Sequence, residues 1–330
     1  MSARGWLAGP ALLAASALFA GTAQASCGAE GCPLELRGPD AAGGRFGFDL
    51  GYQFVDQNRL WDGNGVAGPA DPEEHEVEVQ TMTSTMAGTA RGQFGPRFLM
   101  TATLPYMTRE HEHLIQHHPG YFVEQHWRYS GFGDLLTVGQ YTPIGTSPGQ
   151  KTALDLRAGI KLPTGRTDVP EIDGEQPEPP ARPGSGSVDY VMGFQLRQNL
   201  GSRPRLGQPA LVPLSLSANY RVNGKGTEDY RMGNQVMATL SGSYALSPPL
   251  RALLQLNFDH HEGDDPGESE EGGHTTEGTS LYISPGLRGQ ITGQVAAYAY
   301  FQIRAYEYTA GPQLIAPHHL LLGFSYSFAQ

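Results

Sequence analysis

Histidine is the residue type whose placement in this 330-residue chain most suggests chemistry. One stretch reads Arg109-Glu110-His111-Glu112-His113-Leu114-Ile115-Gln116-His117-His118, and a second reads Asp259-His260-His261-Glu262 with Asp264 and Asp265 close behind. Imidazoles mixed with carboxylates suit divalent transition metals such as Cu(II), Zn(II) or Ni(II). His111, His113, His117, His118, His260 and His261 are therefore the candidate metal ligands. Their spacing fits no specific zinc signature, and the competing reading is that they are polar residues of solvated loops. Two cysteines, Cys27 and Cys32, lie five positions apart. Such close spacing in an oxidising compartment favours a disulfide, with a thiol metal site as the alternative; no C-x-x-C-H supports attached haem. Neither a G-x-S-x-G elbow nor a His-x-Ser-x-Asn segment is present, so no catalytic residue is assigned and the chain is not read as an enzyme.

These residues are carried by a chain patterned for strands. In residues 320–330, Leu320, Leu322, Phe324, Tyr326 and Phe328 share one parity, and Leu321, Gly323, Ser325, Ser327 and Ala329 share the other. Successive side chains of a strand face opposite ways, so the segment has one apolar face and one small, polar face. The alternation recurs along the chain. Phe46, Phe48, Leu50, Tyr52 and Phe54 form one such stripe, and Leu154, Leu156, Ala158, Ile160 and Leu162 another. Twelve strands are expected, near 45–56, 75–91, 96–108, 132–143, 151–163, 187–199, 211–223, 232–246, 250–260, 279–288, 293–306 and 320–330. The fourth, Asp134 to Tyr141, is ambiguous in parity. In the eleventh, Val295, Ala297, Ala299, Phe301 and Ile303 oppose Tyr298, Tyr300, Gln302, Arg304 and Tyr306.

The polar parity carries charges. Asp49, Glu76, Glu78, Asp155, Asp189 and Asp259 share it with Arg157, Lys161, Arg197, Arg221, Arg251, Arg288 and Arg304. A soluble core would not take this many charges, whereas the water-facing interior of a membrane barrel would. These thirteen are the expected pore-lining residues. They either set a field across an open lumen or pair off and fill it. Short connections alternate with longer ones, among them Asn58–Glu74, Arg109–Gly131, Gly165–Gly186, His261–Gly278 and Glu307–Pro317. Short periplasmic turns alternating with long outer loops fit a barrel, and all eleven histidines then fall in outer loops or at the strand ends beside them.

Residues 1–25 carry Arg4, an apolar run and Ala23-Gln24-Ala25, the form of a cleaved signal peptide. The whole chain has 22 Lys and Arg against 33 Asp and Glu; Arg4 is the one charge in residues 1–25, so the mature chain has a net charge of −12. That balance disfavours nucleic acid or anionic lipid as a partner. Mean hydropathy is −0.36, and after residue 25 no run approaches the roughly 20 apolar residues of a spanning helix. A membrane protein with so polar an average must span as strands. The expected organisation is a signal peptide (1–25), a periplasmic N-terminal segment with the cysteine pair (26–44) and an all-β transmembrane antiparallel up-and-down β-barrel of about 12 strands (45–330).

Three glycine-rich motifs occur in order: Gly131-Phe132-Gly133-Asp134-Leu135, then Gly159-Ile160-Lys161-Leu162-Pro163-Thr164-Gly165-Arg166, then Gly184-Ser185-Gly186-Ser187-Val188-Asp189-Tyr190. In that order, over residues 45–330, they resemble the outer-membrane transporters named for the MetA pathway of phenol degradation. The resemblance implies a barrel that moves small, often hydrophobic or aromatic, molecules, and it carries over no site residues. The expectation is a channel or transporter of the bacterial outer membrane for a small solute, without a resident cofactor. Its partners would be outer-membrane lipid, the solute and the barrel-assembly machinery, with residues 26–44 able to dock a periplasmic partner. The alternative is a surface protein that binds copper or zinc through its histidine-rich outer loops.

Overall fold

The computed structural model describes residues 24–25, 45–67, 76–118, 121–145, 151–170, 176–200, 212–267 and 276–328. The expectations for Cys27, Cys32 and the 26–44 segment fall outside these residues. Twelve antiparallel staves close into a barrel: β1 (Phe46–Gln57), β2 (Glu76–Phe94), β3 (Phe98–His118), β4 (Tyr121–Phe132 and Leu135–Ile144), β5 (Thr152–Leu162), β6 (Asp189–Leu200), β7 (Val212–Val222), β8 (Gln235–Ala245), β9 (Leu250–His261), β10 (Gly278–Gln290), β11 (Val295–Ile315) and β12 (His318–Ser327). Each pairs with its neighbours in sequence, and β12 pairs with β1 to close the cylinder. Full closure leaves no open sheet edge, as a backbone surrounded by hydrocarbon requires.

The apolar stripes face outward. Phe48, Leu104, Phe194, Leu240, Leu254 and Phe324 are among many large apolar side chains exposed on the outer wall. The inner wall buries polar groups instead, including Thr81, Asp155, Ser215, Asn257, Ser284 and Gln302. A soluble barrel would reverse these faces; lipid outside and polar groups inside account for both.

Several local expectations need correction. The expected outer loop 109–131 is mostly sheet, because β3 runs on to His118 and β4 begins again at Tyr121. Its outward residues Thr108, Glu110, Glu112, Glu124, His126 and Arg128 are polar, and Arg128 pairs with Glu110 at 3.1 Å. About ten tilted residues cross the apolar band, so this hairpin stands above the membrane. The expected loop 307–317 is likewise strand as far as Ile315. A bulge opposite Leu281 and Tyr282 skips Ala305, so register moves from Arg304 to Tyr306. The extra residue flips the parity: Tyr306 faces outward, contrary to the sequence pattern, and Glu307 and Thr309 are buried inside. In β4, Leu136, Val138 and Gln140 face the lumen while Tyr141 faces out. Both faces there are apolar, which is why alternation could not assign them.

Candidate functional site: the barrel lumen

The described parts of the segment between β5 and β6, residues 163–170 and 176–188, fold back into the barrel at its outer end. Val169, Pro177 and Pro179 to Gly184 are buried, with a single 3₁₀ turn at Pro179–Ala181. Three contacts fasten the turn to the walls. Arg109 of β3 and Tyr129 of β4 both donate to the Ala181 carbonyl, at 2.6 and 2.8 Å. Arg182 pairs with Glu228 of the facing loop at 2.6 Å. Trp127, Tyr129 and Val169 form a small apolar cluster behind it.

The base of the segment is held by Lys161 and two carboxylates. Lys161 lies 2.5 Å from Asp189 and 3.3 Å from Asp134, with all three side chains almost wholly buried. Asp134 accepts from the backbone N–H of Gly165 and from Ser185, so it ties together both ends of the inserted segment. Close passage of the two limbs demands glycine: a Cβ on Gly184 would lie 2.5 Å from the Gly165 carbonyl carbon. The three glycine-rich motifs are thus the three walls of one fastening.

Below this lies a cavity of about 370 Å³ within the barrel. Arg91, Arg157, Arg221 and Arg288 line it, with Asp49 as the one acidic side chain of the lining. Asp49 accepts hydrogen bonds from Tyr298 and Ser325, each at 2.6 Å. Arg157 donates to Gln195 at 2.6 Å, and Arg91 to Ser327 at 2.5 Å. Leu99, Leu136, Val138, Val191 and Met237 supply apolar wall.

The thirteen expected pore residues therefore separate into two groups. Some fill the barrel by pairing: Asp155 takes both Arg197 nitrogens at 2.8 and 2.9 Å and a bond from Thr142, Lys161 joins Asp189, and Arg304 joins Glu307. Others line the cavity, namely Asp49, Arg157, Arg221 and Arg288, whereas Arg251 bonds Ser243 at 2.9 Å and Asp259 accepts from Gln235 at 2.6 Å. Glu78 is buried, in register with His113, and the side chain of Glu76 lies outside the described set. Sequence reasoning missed Arg91, although it shares parity with Thr81, Thr83, Thr85 and Thr89 and could have been found by extending that stripe. It also missed Arg109, Tyr129 and Arg182, whose roles depend on a loop returning into the lumen.

The six candidate metal-ligand histidines lie on strands rather than in loops. His111 and His113 sit on β3 above the membrane and point inward, buried against Trp127, with ring centroids 5.6 and 4.2 Å from it. His111 contacts the Thr81 hydroxyl at 2.7 Å and His113 the Gln125 side chain at 3.0 Å. Burial, then repulsion from the nearby His113, Arg109 and His126 side chains, holds His111 well below the ordinary imidazole range, at about 3. His260 contacts Thr279 at 2.9 Å, His261 is partly exposed, and the side chains of His117 and His118 lie outside the described set. Among the described residues no three His, Cys, Asp or Glu side chains gather closely enough to hold a metal.

An aromatic and aliphatic outer wall, a polar lumen and an inserted outer segment define a bacterial outer-membrane β-barrel. A family model described as "Putative MetA-pathway of phenol degradation" matches residues 57–316, and the chain belongs to that family. Among solved structures, the COG4313 outer membrane channel from Pseudomonas putida F1 is similar with a TM-score of 0.55 at 13% identity, over 89% of this chain and 100% of that one. The transport unit of the autotransporter AIDA-I from Escherichia coli gives a TM-score of 0.49 at 12% identity, over 90% and 94%. A KdgM porin in complex with disordered oligogalacturonate gives 0.42 at 8%, over 86% and 99%. No curated protein sequence matches the chain significantly.

Proposed function

We propose that this protein is a narrow passive channel for small solutes, entered from outside past the inserted residues 176–188. The observation that carries this reading is the 370 Å³ cavity inside a closed barrel, directly below that segment. Its size is at the low end for small-molecule sites, which suits a small organic solute better than a polymer. The pairing of Arg197 with Asp155 and of Lys161 with Asp189 fills part of the lumen outside the cavity lining. That the similar protein from P. putida is called a channel supports the same reading. No enzymatic step is assigned to it.

The test is single-channel recording of the refolded mature chain in planar bilayers. Small, steady conductance that rises when Arg109→Met frees the Ala181 turn is expected. A correctly folded barrel that stays silent in both forms would overturn the channel reading.

A further inference from the structure

We infer that the loop between β7 and β8, residues 223–234, is a strained strap that catches the inserted turn and is poised to let it go. The inference rests on the channel reading only for what the release would admit.

The strain is concentrated at two adjacent positions. Among the described residues, the positive-φ residues other than glycine are Glu228 and Asp229, at +61° and +57°. Left-handed backbone crowds Cβ against the following carbonyl oxygen, so residues other than glycine adopt it singly at most, and two in a row are costly. Such a pair persists only where its surroundings over-determine it. Here they do so from both sides. On the side of the inserted segment, the Thr227 N–H donates to the Ser185 carbonyl at 3.1 Å, and a Cβ on Gly226 would lie 2.0 Å from that same carbonyl oxygen. On the other side, the loop between β9 and β10 grips the strap. Arg231 and Asp265 exchange both backbone hydrogen bonds at 2.8 Å. Asp264 accepts from the Tyr230 hydroxyl at 2.5 Å and from the Gly233 N–H at 2.7 Å. Gly267, itself at φ +66°, passes close against the Asp229 carbonyl.

What the strained pair presents is a hook. Glu228 accepts from Arg182 Nη1 at 2.6 Å, and Arg182 Nε donates to the Pro177 carbonyl at 2.8 Å. One guanidinium thus closes the Pro179–Ala181 turn on itself and ties it to the strap. The two ends of the tie differ in exposure: the Arg182 side chain is 5% exposed and that of Glu228 45%. The carboxylate has water as an alternative partner, and relaxation of 228 and 229 into the right-handed region re-aims it away from the turn. Glycine, the residue such backbone ordinarily takes, would remove the strain and, at 228, the hook with it. The strap therefore has two discrete states, caught with the backbone strained and released with the backbone relaxed. The Arg109 and Tyr129 bonds to Ala181 come from β3 and β4, so release frees the turn on one side only.

The experiment changes the strain and leaves the ion pair in place. Hydrogen exchange of peptides covering 176–188 is followed by mass spectrometry on the full mature barrel in detergent, with folding verified by heat-dependent gel mobility. Asp229→Gly removes the steric cost of the left-handed position and should raise protection of 176–188 by about threefold. Asp229→Val, β-branched where φ is positive, should lower it by about tenfold. Shifts of both variants in the same direction, or shifts confined to 223–234, overturn the proposal. If Asp229→Val fails to fold, unchanged or lower protection of 176–188 in Asp229→Gly overturns it alone. Conductance is a separate readout: a silent barrel removes the channel reading, whereas the strap stands or falls on the exchange result.

Discussion

Replacing Lys161 by methionine tests whether the outer segment is held by charge. Lys161 is 2% exposed and Asp189 1%, and the ammonium is the cation shared by the Asp189 and Asp134 carboxylates. Methionine fills similar volume but leaves both carboxylates buried without it. Breaking a buried pair from one side typically costs about 3–5 kcal/mol, which raises the opening constant of whatever the pair fastens by roughly a hundredfold to several thousandfold. What it fastens is local: Asp134 holds the N–H groups of Gly165 and Ser185, the two limbs of the inserted segment. The barrel strands carry their own ladders, so heat-dependent gel mobility should persist. Hydrogen exchange followed by mass spectrometry is the assay, comparing peptides covering 163–188 with peptides from β9 and β10. Loss of protection confined to 163–188 is expected. Protection within about tenfold of the unsubstituted protein would show that the Lys161 network does not hold the segment, and the fastening would then lie with Arg109, Tyr129 and Arg182.

Leu240 is exposed on the outer wall at the middle of β8. Leu240→Arg should cost about 2–4 kcal/mol of stability in vesicles, read by urea titration, as expected for a cation at the bilayer midplane. His111 is buried neutral against Trp127, so its folded pKa is depressed and its stabilisation is complete above the unfolded value. Acidification below about pH 6.5 should weaken the hairpin by up to about 1.4 kcal/mol per unit until the folded pKa is reached. In a Trp61→Phe background, Trp127 emission should shift on acidification, and His111→Gln should abolish the part of the shift that follows this window. Gly186 has φ +71°, and a Cβ there would lie 2.5 Å from the Thr227 hydroxyl oxygen. Gly186→Ala should therefore loosen the segment in the same exchange assay, by about 1 kcal/mol or more. Asp155→Asn removes the buried charge that holds Arg197 and accepts from Thr142; zero-current potentials in a salt gradient should shift toward anions, and a shift toward cations would contradict the assignment of Arg197.

Alternation alone determined that this protein is a twelve-stave barrel with lipid outside and charge inside. Period two is imposed by the backbone of every strand, so Phe46 to Phe54, Leu154 to Leu162 and Leu320 to Phe328 could be read without knowing their neighbours. The same rule placed Asp49, Asp155, Arg157, Arg221 and Arg288 on the inner wall. It failed where alternation itself is broken. The skipped Ala305 turns Tyr306 outward, and the apolar Leu136 and Val138 face a lumen that pattern alone would fill with polar groups. It also mistook a histidine-rich hairpin for a loop, because the hairpin above the membrane no longer needs an apolar outer face. Which charges pair and which remain around a cavity was decided only by closure of the cylinder. Lys161 meets Asp134 because two strands adjoin, but Ala181 meets Arg109 and Tyr129 because a loop returns across the opening, and no local pattern encodes the distance between opposite walls.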